Sequence, residues 1–160
     1  YGQTNIYQSV GFGNRTSGPG VDLAVYGSSA NASSPSVPPT TSTPVGATGT
    51  VIREFWSNVS GTSVANIPLT TAATGSDILS SLEGPSNWAD NYGSRIRGFV
   101  IPSTSGSYIF YVSGDDNTEL YLSTNDNPAT KTRIAFVSGW TNSREWAKYT
   151  EQRSAAVTLS

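Results

Sequence analysis

Residues 113–120 read SGDDNTEL and set two carboxylates, Asp115 and Asp116, side by side in a chain of which only 12% is charged. Neighbouring acids repel, so a pair placed between two apolar runs, YIFYV and ELYLS, calls for something that offsets the repulsion. In an ordinary trans strand the two side chains would point to opposite faces and could not serve one ligand. A cis peptide would bring their Cα atoms to about 2.9 Å and turn both carboxylates to one side. The chemistry open to such a pair is capture of a hard cation. Calcium takes six to eight oxygen ligands, tolerates irregular geometry and neutralises both acids. The plainer reading is an acidic turn that opens the ELYLS strand, since Asp and Asn are ordinary loop residues.

Other polar groups invite less. Asn125, Asp126 and Asn127 form a second cluster, but Asn127–Pro128 reads as a turn. Glu119 reads as the cap or ion-pair partner of an arginine, and Arg95 and Arg97, alternating around Ile96, as partners of Glu or Asp. The chain has no His, Cys or Met, which removes imidazole and thiol catalysis, disulfides and the usual zinc sites. A glycosidase needs two carboxylates across a cleft, about 5 or 6.5–9.5 Å apart, rather than adjacent in sequence. We expect no enzyme. A net charge of −2 with no basic patch argues against nucleic acid as a partner.

The elements that would carry these groups are strands. Apolar runs with β-branched and aromatic residues occur at 5–10, 21–26, 50–56, 95–101, 107–112, 119–123, 132–137 and 155–159, each bounded by Gly, Pro, Asn, Asp or Ser. Helical spacing is weak, and a turn or two of helix is expected only near 76–82 and 143–149. SYIFYV and RIAFV are apolar on both faces, which suits the interior of a two-sheet sandwich. A chain of 160 residues is enough for one such domain.

Residues 27–49 break the pattern: they hold four of the nine prolines and almost nothing that could be buried. A linker of that composition is stiff and could bridge on the order of 60 Å. Sequons at Asn14, Asn31 and Asn58 are candidate glycan-attachment sites. No apolar run reaches the roughly 20 residues that span a bilayer, and the Ser/Thr/Asn-rich composition points to an extracellular or cell-surface location. The absence of Met and of a basic-then-apolar leader fits a processed product or a piece of a longer protein.

From residue 50 onward the order of motifs resembles the PA14 domain, a β-sandwich module of toxins, glycosidases and adhesins. The resemblance is carried by VIREFWSNVSGTSVANI, by NWADNYGSRIRGFVIPSTSGSYIFYVSGDDNTELYLSTNDNPATKTRIAFVSGW and by SREWAKYTEQRSAAVTL. It implies an all-β antiparallel sandwich. In the family a segment like VTL is followed by a turn, a strand, a Gly-rich loop and a closing strand, whereas this sequence ends at Ser160. Those missing pieces resemble its own beginning, YGQTNIYQSVGFGNRTSGPGVDLAVYG.

The expected organisation is therefore closing strands in 1–26, a linker in 27–49 and a sandwich body in 50–160. Either the first segment docks on a neighbouring copy, as in a tandem array that builds a fibre or stalk, or it folds back on its own body as a permutant. The resemblance also implies that Asp115 and Asp116 hold calcium whose remaining positions are filled by sugar hydroxyls. The family's second ligand loop would fall on GNRTSGPGVD, making Asn14 and Asp22 candidate ligands. Trp56 and Trp88 stand at motif positions that look like core, which leaves Trp140 and Trp146 as candidates for stacking on a sugar ring. The functions to weigh are an adhesive or structural repeat whose partners are copies of itself, with calcium-dependent carbohydrate binding, and a self-contained, lectin-like module that binds glycans.

Overall fold

The computed structural model describes residues 4–10, 22–29, 49–102, 104–125 and 127–159. They form an all-β antiparallel sandwich. Nine strands run β1 Thr4–Val10, β2 Asp22–Ser29, β3 Val51–Ser57, β4 Gly75–Leu79, β5 Tyr92–Val100, β6 Gly106–Ser113, β7 Thr118–Leu122, β8 Thr132–Val137 and β9 Val157–Leu159. One sheet has the order β4-β3-β5-β1-β7-β8 and the other β2-β6-β9.

Alternation along each strand decides which face is buried. In β7, Thr118, Leu120 and Leu122 are buried while Glu119 and Tyr121 are only half-buried. In β6, Phe110 and Val112 are fully covered. These side chains meet Ile96, Ala135, Val137 and Leu159 in one core between the sheets. Truncating a ring such as Phe110 to Ala in a core of this kind costs about 3–5 kcal/mol. SYIFYV and RIAFV, expected to be apolar on both faces, bury only one fully: Ile109, Tyr111, Ile134 and Phe136 stay half-buried on the other.

The amino-terminal strands pair within this chain. β1 lies between β5 and β7, with Tyr7 in register with both Arg97 and Tyr121, and β2 runs along β6 from Asp22 opposite Ser113 to Ser29 opposite Gly106. β2 continues to Ser29, so the segment expected to be linker from residue 27 begins as strand. Residues 30–48, with Asn31, lie outside the described residues.

Two expected helical turns are corrected. Residues 75–79 form β4, which pairs with β3 and sets Asp77 directly opposite Arg53. Near 143–149 the backbone is irregular: Arg144 takes φ 57°, and the only helical turn in that region is the short 3-10 segment Thr150–Gln152. Gln152, fully buried, donates through Nε2 to the carbonyls of Val112 and Glu145 and accepts from the Tyr149 amide, so its bonds hold the loop where a helix would bond to itself. Among the described residues no helix is long and apolar enough to cross a membrane.

Candidate functional site

β6 belongs to one sheet and β7 to the other, so the turn between them crosses the end of the sandwich carrying Asp115 and Asp116. Thr141, fully buried, clamps the turn's first residue. The Gly114 amide donates to Thr141 Oγ1 at 2.9 Å and the Thr141 amide donates to the Gly114 carbonyl at 2.8 Å. Asp115 then bridges Trp140 across a single antiparallel pair. Thr118 Oγ1 donates to the Asp116 carbonyl at 3.2 Å, and the Arg144 amide donates to Ser113 Oγ at 3.3 Å. The Asp115–Asp116 peptide is cis.

Both acids are half-buried. The turn is held by backbone and hydroxyl groups, and the Asp115 carboxylate makes no hydrogen bond or ion pair among the described residues. Its charge is felt nearby. Burial pushes the Tyr92 phenol above its ordinary range; the Arg53 guanidinium pulls it partly back, and Asp115 pushes it further up.

The topology also brings the end of β1 and the start of β2 to this end of the sandwich. β1 stops at Val10, opposite Ser94 and one residue past the Ser9–Glu119 pair, and β2 starts at Asp22 opposite Ser113. The last residue of β1 and the first of β2 thus lie beside the strands that hold the acidic turn. Asp22 stands in register two residues from Asp115, while Asn14 lies outside the described residues. Among the described residues no three His, Cys, Asp or Glu side chains gather into a metal cluster. Asp115 and Asp116 are the described side chains here whose oxygens suit a hard cation such as calcium, which takes six to eight oxygen ligands.

The aromatic residues distribute differently from expectation. Trp56 is buried, as expected, but Trp88 is 39% exposed. Its indole stands edge-on to Phe55 at 4.6 Å and to Tyr92 at 4.9 Å, and the Arg53 guanidinium lies 4.3 Å from its ring. Arg53 is 2% exposed and forms a two-point ion pair with Asp77, whose carboxyl it holds below the usual range against the raising effect of burial. Its Nη1 finds no hydrogen-bond partner among the described residues, and the indole face supplies a cation–π contact instead. Trp88 therefore edges a ladder that runs through Tyr92 toward Asp115. Sequence reasoning missed it because its neighbours in space come from β3 and β5. Trp140 is 40% exposed beside Asp115, yet Lys148 Nζ sits 3.3 Å from its ring and covers one face. Trp146 is half-buried.

The remaining candidates resolve into structural roles. Arg95 and Arg97 share Glu54, and Glu119 takes Arg133 and the Tyr121 hydroxyl. Asn125 Oδ1 accepts from the Ser123 hydroxyl, the Asn127 amide and the Thr130 hydroxyl, and Asn127 Oδ1 accepts from the Ala129 amide. These two thus build a turn; Asp126 lies outside the described residues. Asn58 is exposed just after β3, with φ 60°.

Known proteins place this arrangement. N-acetyl-beta-glucosaminyl-glycoprotein 4-beta-N-acetylgalactosaminyltransferase 1 of Mus musculus is 43% identical over 68 residues, covering 40% of this chain and 7% of that protein. Fibrocystin-L of Mus musculus is 37% identical over 70 residues, covering 44% of this chain and 2% of that protein. The chain thus spans less than a tenth of either relative's length. No solved structure matches it. The PA14 domain model matches residues 46–145, well over half of the sequence and including the acidic turn, and the chain belongs to the PA14 domain family.

Proposed function

We propose that this chain is a calcium-dependent glycan-binding module of an extracellular or cell-surface protein. The observation that carries the reading is the Asp115 carboxylate, half-buried, next in sequence to a second acid and without a hydrogen-bond or ion-pair partner among the described residues. A cation with six to eight oxygen ligands would give the Asp115 carboxylate a partner and keep positions open for vicinal sugar hydroxyls. Asn14 and Asp22 are the side chains of segment 11–22 suited to join it. Trp88 and Trp140, 39% and 40% exposed, are the platforms on which a sugar ring would stack. One relative's name concerns a glycoprotein glycan, which supports a carbohydrate ligand; the reading is of binding and not of catalysis. Under the same reading the exposed Asn58 sequon, with Asn31, would carry glycan in a secretory pathway, while Asn14 is kept for the cation.

A panel of immobilised glycans, probed with calcium and with chelator, tests the reading. Binding that requires calcium and disappears in Asp115→Asn/Asp116→Asn supports it. Glycan binding indifferent to both sinks it.

A second reading has one specific observation in its favour. β1 fills an interior slot of its sheet, yet only segment 30–50 joins β1 and β2 to the body. Exchange of these strands between copies would preserve every pairing and produce a fibre or stalk. Solution mass decides it: particles larger than one chain that persist in chelator are required, and a strict monomer at high concentration rules the fibre out.

A further inference from the structure

The outward face of the six-stranded sheet carries a cleft that the acidic turn does not use. Residues 63–69 fold over this face. A Cβ on Gly93 of β5 would stand 2.5 Å from Ile67, which shows how closely that segment is seated. Opposite it rise the outward side chains of β7 and β8. Between the two walls, along β1, lies a cleft of about 670 Å³, inside the range of small-ligand sites, about 300–1,000 Å³.

The two walls differ in chemistry. The 63–69 wall is apolar, with Val64, Ile67 and Leu69. The strand wall holds aromatic surface and a fixed polar fork: Tyr121 donates to Glu119 at 2.8 Å, Arg133 pairs with Glu119 at 2.5 Å, and the Arg133 guanidinium lies 4.3 Å from the Phe136 ring. Glu119 and Arg133 neutralise each other and Lys131 adds a further donor, so this wall offers both acceptors and donors. A pyranose matches such a lining, because its C–H face packs on aromatic and aliphatic surface while its hydroxyls both donate and accept. An apolar peptide would take the fork out of water without using the donors and acceptors it has left, at a cost.

Position supplies the second argument. Asn117 lines the cleft and directly follows Asp116 in the chain, so the cleft opens at the acidic turn. We infer that this cleft is an extended subsite for an oligosaccharide, taking the sugar residues that follow the one bound at Asp115 and Asp116. The inference rests on the calcium-dependent reading above and adds to it a preference for chain length. Because β7 and β8 hold the cleft residues on paired strands, the site is formed in advance and loses little freedom on binding.

The test compares immobilised N-acetylglucosamine with its β-linked di- and tetrasaccharides, and a parallel series ending in galactose, with calcium and with chelator. Wild-type protein is expected to gain about tenfold in affinity from mono- to tetrasaccharide in the series that it binds. Tyr121→Ala should lose this gain while keeping calcium-dependent binding of the monosaccharide. Ala65→Trp and Ser138→Trp, which fill the cleft from exposed positions without touching the core, should do the same and guard against a folding defect in the first variant. Affinity independent of length, or a length gain that survives all three variants, overturns the subsite and leaves the calcium site standing. A length gain indifferent to calcium but abolished by the cleft variants overturns the calcium reading and leaves the cleft as a glycan site of its own. No binding in either series overturns both.

Discussion

Two short turns rich in Asp and Asn bracket β7, and their hydrogen bonds run in opposite senses. In the turn after β7, the side chains of Asn125 and Asn127 accept from Ser123, Thr130 and the amides of Asn127 and Ala129, so the turn's oxygens are consumed in building it. In the turn before β7, the structure is held from outside, by Thr141 on Gly114 and Thr118 on the Asp116 carbonyl. The Asp115 carboxylate is left for another partner. Composition does not separate a self-satisfied turn from one that keeps an acid in reserve; the identity of the group doing the clamping does.

The largest effect should come from removing the reserve. Asp115→Asn/Asp116→Asn is expected to lower calcium affinity by about 100-fold or more, because affinity for a hard cation follows the charge of its oxygen ligands. Asn125→Ala/Asn127→Ala should leave calcium affinity unchanged. Isothermal titration with calcium on both double variants checks the contrast, and equal losses would erase it.

Stability should show the reverse dependence. Thr141→Val removes both side-chain bonds to Gly114 at a fully buried position and should cost about 1–3 kcal/mol for the unsatisfied groups left behind. It should also weaken calcium binding, since the clamp positions the acids. Asn127→Ala deletes the acceptor that caps the short helix Pro128–Thr130 and should cost about 1 kcal/mol with calcium affinity intact. Urea denaturation in chelator measures the first quantity, and calcium titration of the same proteins the second.

How much of this was legible beforehand depends on where each signal resides. Strands such as Thr132–Val137 announce themselves through β-branched and aromatic residues. Gly75–Leu79 does not, since GSDIL has no apolar alternation; its inward commitment is the ion pair of Asp77 with Arg53, made 24 residues away in sequence. The acidic pair was legible because two like charges side by side are conspicuous in a chain so poor in charge. Trp88 was misread for the opposite reason: a large aromatic suggests core, and only the approach of Arg53, Phe55 and Tyr92 shows that it packs by its edges and keeps 39% of its surface exposed. The cleft was invisible in sequence, because its two walls come from residues more than 45 positions apart that meet across β1.

Acid gives the smallest but most discriminating test, since the turn after β7 owes its described bonds to neutral amides and hydroxyls while the two-point pair of Asp77 with Arg53 lies elsewhere. The hydrogen bond from Arg53 is the main reason that the Asp77 carboxyl lies below its ordinary value, burial opposing it. A carboxyl with a lower pKa folded than unfolded binds its proton more readily in the unfolded chain. Its contribution to stability is therefore complete above the unfolded value, about 3.9, and is lost as pH falls through the folded one. The Asp77 side chain is 43% exposed, so solvent screening keeps the contribution modest. In chelator, the melting temperature of wild-type protein should exceed that of Asp77→Asn by a constant margin between pH 5 and 7 (a range chosen about one unit or more above that value), and the margin should shrink below about pH 4. A margin that persists to the lowest pH would mean that Asp77 acts through packing alone. If it closes as expected, any calcium release observed at pH 5 reports the acidic turn and not the loosening of β4 from β3.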